Sequence, residues 1–323
     1  MEHLVGRRKT WYLISLLLLV PGLISLVLFG LNRGIEFTGG TLWELEFQQE
    51  VSTETIIQVL EDNGINGARV QLAENLNGDA DRVAVIRLRE LQQGSAEKET
   101  LAAAISERVG PFTELQLSSV GSSVSRDITR RSILAVCLAS VGILLYIAYA
   151  FRNTQNPVLY GICALAAMVH DVLIVIGIFS ILGKVADYEV DSLFVTALLT
   201  IIGFSVHDTI VVFDRIRENL ARRVAPTFAA VVNYSLAQTV VRSLNTSITV
   251  AFTLLALYLF GGETTQQFVL ALLIGIVAGT YSSIFNAAQL LVSWENGEIQ
   301  GLWHKITSFG RSSQPVARSG SAQ

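Results

Sequence analysis

The chain has 323 residues, of which 51% are hydrophobic and 15% are charged, and its formal net charge is -4. Such an apolar chain with so few charges has the composition of a membrane protein rather than of a soluble domain. The small negative net charge argues against nucleic acid as a partner.

Six apolar runs are long enough to cross a membrane as helices, which takes about 20 residues. We predict membrane spans at residues 11–31, 132–149, 157–182, 193–213, 239–260 and 268–292. One long loop separates the first span from the second, and the other connections are short. The predicted fold class is therefore a polytopic α-helical membrane protein with one domain outside the membrane.

Basic residues orient the predicted spans, because short cytoplasmic loops carry an excess of Lys and Arg. The opposite short loops contain only Lys184. Both termini are therefore predicted to be cytoplasmic. Six crossings place the following residues on that one side: Arg7, Arg8, Lys9, Arg152, Arg215, Arg217, Arg222, Arg223, Lys305, Arg311 and Arg318.

The long first loop is predicted to fold outside the cytoplasm as a small α+β domain. Its helix at 52–63 has Ser52 as a plausible N-cap and Gly64 as a C-terminal stop. The order β-α-β-β-α-β is that of a ferredoxin-like domain. In chain order, the patterns predict a strand at 41–47, the helix at 52–63, strands at 68–72 and 82–88 joined by a turn-rich segment at 75–81, a helix at 95–109 and a strand at 113–120.

These assignments divide the chain into four parts. Residues 1–31 form a cytoplasmic N-terminus and the first span, and residues 32–131 form the extracytoplasmic domain. The other five spans occupy 132–292, and 293–323 form a cytoplasmic tail. From Ser308 onward this tail is rich in serine, glycine and arginine without an apolar period, which predicts disorder.

An aspartate follows a histidine twice within the spans. His170 and Asp171 lie near the centre of the third span, and His207 and Asp208 lie in the cytoplasmic half of the fourth, about 7 Å from its middle. A charge in hydrocarbon costs several kcal/mol unless it is paired or wetted, so such residues usually serve ion or proton traffic. We therefore predict a proton or charge relay that includes Asp171 and Asp208.

The fifth span carries one polar stripe at helical spacing. A polar stripe in a membrane span is expected to face protein or a water-filled cavity. Arg242 lies near the cytoplasmic start of the span and is predicted to join the relay by reaching toward Asp208. Two structural alternatives stay open: an Asp208–Arg242 ion pair with threonines joining helices, and an Asp171 that only accepts hydrogen bonds. The stripe consists of Arg242, Asn245, Thr246, Thr249 and Thr253.

Other chemistries fit the spans poorly. Neighbouring residues on a helix point about 100° apart, so His170 and Asp171 are not expected to share a metal ion, and no cofactor or metal site is predicted. An intramembrane aspartyl protease needs two close aspartates, whereas these lie at different depths. Gly275 and Gly279 form a GxxxG motif, which predicts a close helix–helix approach in the sixth span.

Several segments together resemble SecF, the smaller membrane subunit of the SecDF protein-export complex. The longest and most specific, residues 203–219, reads Gly-Phe-Ser-Val-His-Asp-Thr-Ile-Val-Val-Phe-Asp-Arg-Ile-Arg-Glu-Asn. The others follow the order of that family along nearly the whole chain, at 34–41, 169–171, 242–247 and 279–283. The sequence departs from the usual pattern at His207, where asparagine is more frequent, and at Glu36, where aspartate is usual.

The resemblance implies half of an RND-type transporter in the bacterial plasma membrane. It implies a SecD partner, the SecYEG channel and exported unfolded protein chains, with protons driving a late stage of translocation. It also places Asp208 and Arg242 in the proton pathway, beside an aspartate that SecD supplies. We expect a supporting polar shell of His207, His170, Asn245, Thr246 and Thr249 around them.

A mechanism and its competitors follow from this resemblance. Protonation of Asp208 is expected to weaken its attraction to Arg242, so that two spans shift and the 32–131 domain reorients. Two other classes stay open, namely a scaffold without its own proton path and half of a small-molecule or lipid exporter. An enzyme is the weakest interpretation, because no nucleophile, metal site or phosphate loop is evident.

Overall fold

The computed structural model describes residues 4–73, 83–91, 94–154 and 156–298. The predicted turn at 75–81 and the predicted disordered tail from Ser308 lie outside these residues. Within the described part of the chain, six helices are long and apolar enough to cross a membrane. The prediction of a polytopic helical membrane protein is thereby confirmed.

The described strands lie between the first and the second spanning helix, together with three short helices. In chain order the elements are α1 (Arg8–Phe29), α2 (Ile35–Thr38), β1 (Gly40–Phe47), α3 (Thr53–Asp62), β2 (Arg69–Ala73), β3 (Val83–Leu88), α4 (Ala96–Arg108), β4 (Phe112–Val120), α5 (Ser122–Ala150), α6 (Pro157–Val185), α7 (Ser192–Ala221), α8 (Phe228–Phe260), α9 (Glu263–Ser282), a π-helical turn (Ser283–Ala287) and α10 (Ala288–Glu295).

Most spanning helices extend beyond their apolar runs. Helix α7 continues through the charged segment after residue 213, which the sequence analysis treated as a connection. Ion pairs one turn apart support this extension: Arg217 pairs with Asp214 at 2.5 Å and Arg222 with Glu218 at 2.7 Å. Hydropathy detects only the apolar part of a helix, so the predicted span is shorter than the observed helix here.

The strands form one antiparallel sheet in the order β2-β3-β1-β4. Trp43 on β1 lies opposite Ile86 on β3 and Leu117 on β4. Side chains alternate between the two faces along β1, so Trp43, Leu45 and Phe47 all lie on one face. They form a core with apolar side chains of α3 and α4. The elements follow the predicted order of strand, helix, two strands, helix and strand.

The ends of α3 show how local chemistry sets its bounds. Ser52 occupies the N-cap position as predicted, but its hydroxyl donates to the Glu54 carboxylate at 2.6 Å instead of accepting a backbone N–H. An ionised carboxylate is a strong acceptor, so the hydroxyl bonds to Glu54 and does not cap a backbone N–H of the helix. The helix ends at Asp62, and Gly64 takes a φ of +82° that favours glycine, as the predicted stop requires.

The described residues belong to two compact units. The first contains the described residues within 4–24, 140–177 and 200–298, and the second contains those within 25–139 and 178–199. In the second unit, the Ser25 and Ser180 hydroxyls hydrogen-bond at 2.9 Å, and Ser180 also donates to the Gly30 carbonyl at 2.7 Å. These bonds join the end of α1 to the end of α6.

Glycines bring helices of the first unit into close contact. A Cβ at Gly275 would lie 2.3 Å from the Ile201 side chain, and a Cβ at Gly279 would lie 3.2 Å from the Ser205 Cβ. The GxxxG prediction of a close approach is confirmed, with α7 as the neighbour of α9. The sequence analysis missed a second approach: Gly22 on α1 and Gly177 on α6 pack backbone against backbone.

Candidate functional site

Asp171 lies on α6 with no exposed surface. The Ser205 hydroxyl of α7 and the Ser282 hydroxyl of α9 each donate to its Oδ2 at 2.6 Å. The imidazole Nδ1 of His170 lies 3.0 Å from its Oδ1. Three helices therefore supply hydrogen-bond partners to one carboxyl group, which removes most of the cost of burying a polar group in the bundle.

Asp208 lies on α7 and is 8% exposed. The Ser243 hydroxyl of α8 donates to Oδ1 at 2.6 Å, and the Ser283 hydroxyl donates to Oδ2 at 2.5 Å. Short bonds of this kind are typical of a hydroxyl that donates to a carboxylate. Like Asp171, Asp208 is held by hydroxyl groups from two other segments of the bundle.

Adjacent residues connect the two carboxyl groups. Ser282 ends α9 and donates to Asp171, whereas Ser283 begins the π-helical turn and donates to Asp208. On α7, Ser205 contacts Asp171 and lies one turn before Asp208. Both aspartates therefore belong to one buried polar cluster. Single π-helical turns inside α-helices are frequent at functional sites.

Helix α8 carries two polar rows, and the row that the sequence analysis overlooked is the buried one. Ser243 and Ser247 repeat at the four-residue spacing that keeps side chains on one helix face. Ser243 binds Asp208, and Ser247 accepts a hydrogen bond from Thr280 at 2.5 Å. The buried row comprises Ser235, Thr239, Ser243 and Ser247.

The predicted stripe of α8 is exposed on the surface of this chain. Its threonines donate to carbonyls of their own helix, for example Thr249 to the Asn245 carbonyl at 2.8 Å. Arg242 is exposed and forms no ion pair with any described residue. The described part of the chain therefore contains no Asp208–Arg242 ion pair. The α8 side chain that binds Asp208 is Ser243, which points about 100° around the helix from Arg242.

The two histidines differ in their surroundings. His170 is 9% exposed and bonds to Asp171, so these neighbouring side chains do meet, although the helical angle between them predicted divergence. Its ring stacks near that of Tyr281, with centroids 6.3 Å apart. His207, by contrast, is exposed. Among the described residues, no group of three His, Cys, Asp or Glu side chains is placed to hold a metal ion.

Sequence reasoning found the aspartates but missed the serines that bind them. All four lie in segments that carry the family resemblance, at 203–219, 242–247 and 279–283, but no role was predicted for any of them. A usable signal exists: hydroxyl residues in apolar spans at spacings of three or four from one another or from an aspartate. The missed residues are Ser205, Ser243, Ser282 and Ser283.

These features define a class, namely a multi-pass membrane protein with two hydroxyl-bound aspartates inside its helical bundle. Its family follows from comparison with known proteins. The family described as "Protein export membrane protein SecD/SecF, C-terminal" matches residues 101–297, and the "SecD/SecF GG Motif" matches residues 24–51. The chain belongs to the SecF family of protein translocase subunits.

Individual relatives support this assignment over nearly the full chain. The protein translocase subunit SecF of Thermobaculum terrenum is 55% identical over 309 residues, which are 94% of this chain and 98% of that protein. SecF of Anaerolinea thermophila is 40% identical over 94% of this chain and 97% of its own length. The crystal structure of SecDF from Thermus thermophilus aligns with a TM-score of 0.78 and 33% identity, covering 90% of this chain and 38% of SecDF.

Proposed function

We propose that this chain works with a SecD-type partner in the bacterial plasma membrane and uses the proton gradient to promote late, SecYEG-dependent export of unfolded proteins. The SecDF proteins support the partner: the chain covers only 38% of the Bacillus subtilis and Thermus thermophilus SecDF chains, which leaves room for a SecD half. The proposed role is transport by half of an RND-type transporter, without enzymatic catalysis.

The observation that carries the proton assignment is the hydroxyl environment of Asp208 and Asp171. A serine hydroxyl donates to an ionised carboxylate, and after rotation it accepts from a protonated carboxyl group. The same four serines therefore satisfy either protonation state without an unpaired buried group. Such a site is suited to gain and lose protons, and ionisable groups within membrane spans are functional by default.

The exposed stripe of α8 supports a partner surface. An arginine within a span is costly against lipid, and Arg242 has no carboxylate partner among the described residues of its own chain. We propose that the SecD half covers this stripe and supplies the acidic group that Arg242 lacks. Asn245, Thr246 and Thr249 then line the contact beside Arg242, and exposed His207 adds a titratable group on α7.

The order of events differs from the expectation based on Arg242 alone. Protonation of Asp208 adds one O–H donor, which reverses one of its two hydrogen bonds, with Ser243 or with Ser283, so a contact of α8 or of the π-helical turn changes first. Arg242 is then affected indirectly, through its contact with the SecD half. One proton moving down 100 mV releases about 2.3 kcal/mol, which is comparable with the few kcal/mol that separate conformational states.

We also propose the topology of the chain. The N-terminus and the first span occupy residues 1–31, the other five spans occupy 132–292, and the tail occupies 293–323. Both termini are cytoplasmic in this topology. The 32–131 segment is assigned as a ferredoxin-like extracytoplasmic domain. The antiparallel order β2-β3-β1-β4 supports that class, because it places β1 and β3 at the centre of a split β-α-β arrangement.

The test is translocation of a secretory protein into vesicles that contain this chain and its SecD partner, with the proton gradient on or off. Asp208→Asn and Arg242→Met are each expected to abolish the gradient-dependent part of export. Asp127→Asn, which removes an exposed carboxylate paired with Arg131, is the matched control and is expected to export normally. Unchanged export by the first two variants, at normal subunit levels, would instead support a scaffold.

A further inference from the structure

A polar cavity of about 600 Å³ lies within the second unit, where the ends of α1 and α6 meet the edge of the sheet. Phe29 and Gly30 line it from α1, and Lys184 lines it from the last turn of α6. Arg69 lines it from β2, the edge strand. The cavity is separate from the aspartate cluster, which belongs to the first unit.

The lining of this cavity is strongly basic. Arg33, Arg69 and Lys184 line it and form no ion pair with any described residue. Arg87 also lines it but is paired with Glu189. Burial raises the pKa of the Glu189 carboxyl above its usual range, although the Arg87 guanidinium opposes this. Asp187 is the one carboxylate among the described lining residues, so three unpaired cations face a single anion.

Two of the three basic residues have a local role of their own. Lys184 is explained in part by its place at the C-terminus of α6, where the helix dipole favours a cation. Arg69 donates to the Asn32 side chain at 3.3 Å, which holds it at the cavity without neutralising it. Arg33 has no such explanation. Three cations in one concave site create a positive potential that selects an anion.

The level of the cavity points to the chemistry of this anion. Phe29 and Lys184 mark the ends of two spans, and the ends of spans lie at the depth of lipid headgroups. Arginine forks match the oxygens of a phosphate group, and basic pockets beside transmembrane helices bind phosphate headgroups. We propose that this cavity binds a phosphate group through Arg33, Arg69 and Lys184, supplied by an anionic phospholipid or by soluble phosphate.

Two probes test the site and distinguish its sources. The full chain is placed in nanodiscs of phosphatidylcholine with increasing phosphatidylglycerol, and retained phosphatidylglycerol is counted by native mass spectrometry. In a second arm, inorganic phosphate is titrated against the lipid-depleted chain and binding is followed by calorimetry. Each single variant, Arg33→Gln, Arg69→Gln or Lys184→Gln, is expected to weaken binding about fivefold, or about 1 kcal/mol.

A control variant removes three charges from the same unit, more than any of the single variants does. Arg89→Gln, Arg108→Gln and Arg131→Gln together neutralise three exposed arginines that pair with carboxylates outside the cavity. This triple variant is expected to bind within twofold of the wild type, because exposed ion pairs contribute little. Thermal unfolding of every variant checks its folding. Arg33→Lys and Arg69→Lys keep the charge but lose the fork, so they are expected to bind more weakly than the wild type and more tightly than the corresponding Gln variants.

The outcomes separate cleanly. Retention of phosphatidylglycerol that requires Arg33, Arg69 and Lys184, with no binding of inorganic phosphate, supports the site and identifies a lipid headgroup. Binding of inorganic phosphate that requires the same residues supports the site with a soluble source. The proposal fails if the folded wild type binds neither probe, or if the variants of these three residues bind as the control does.

Discussion

The carboxyl groups of Asp171 and Asp208 differ in their solvent exposure and in their number of hydrogen-bond partners. Asp171 has no exposed surface and three partners, whereas Asp208 is 8% exposed and has two. Asp208 also follows the exposed His207 in the chain. We therefore propose Asp208 as the first proton acceptor and Asp171 as the more sealed second site, connected to it through the adjacent residues Ser282 and Ser283.

Ser283→Ala tests this link at the scale of one hydroxyl group. Removing one of the two hydroxyls on Asp208 is expected to lower the gradient-dependent export rate roughly tenfold, because a hydrogen bond to a charged group contributes about 1.5 kcal/mol or more. The measurement is the vesicle assay with the gradient on and off. Ser25→Ala is the control, since Ser25 is a buried serine whose hydroxyl bonds to Ser180 in the second unit and to no carboxyl group among the described residues. Equal export by both variants would remove Ser283 from the proton path.

At the scale of elements, the position of α9 against α7 decides whether the cluster exists. Gly275 and Gly279 allow the approach that brings Ser282 and Ser283 to the two aspartates. Ile201 on α7 is fully buried against Gly275 and has little room to move. A side chain at this glycine must therefore separate the helices or displace Ile201.

Gly275→Ala is expected to destabilise the chain by about 1–3 kcal/mol through overpacking against Ile201. Ile201→Ala removes the obstacle, so the double variant should be less destabilised than the sum of the single variants. Gly142→Ala is the matched control on α5, because a Cβ there meets nothing within 4 Å. Thermal unfolding in detergent measures all four proteins. Additive losses in the double variant would show that the two residues do not press on each other.

At the scale of the whole molecule, six spans and one large loop leave two possible orientations in the membrane. The excess of arginines in the charged segment after residue 213, which contains the end of α7, favours its placement in the cytoplasm. In this proposed topology Lys184 is the exception on the opposite side, and the proposed phosphate site gives a reason for a basic residue there.

Cysteine accessibility distinguishes the two orientations. In a background with Cys137→Ser and Cys163→Ser, an impermeant maleimide added to spheroplasts is expected to label Asn66→Cys in the 32–131 domain and not Arg222→Cys after α7. Both positions are exposed on the chain, so labelling reports the side of the membrane. Inverted vesicles should give the reverse pattern. Labelling of Arg222→Cys in intact spheroplasts would contradict cytoplasmic termini.

The sequence by itself determined the six spans, the order of strands and helices in the 32–131 segment, and the burial of Asp171 and Asp208. Hydropathy, alternation and the cost of charge in hydrocarbon act along a single segment, so these features can be read locally. Only the tertiary structure decided which polar row of α8 faces inward, and that Ser282 and Ser283 reach different aspartates. Both rows of α8 have helical periodicity, so the pattern does not show which row is buried. That depends on where α7 and α9 pack, and the sequence of α8 alone does not specify this packing.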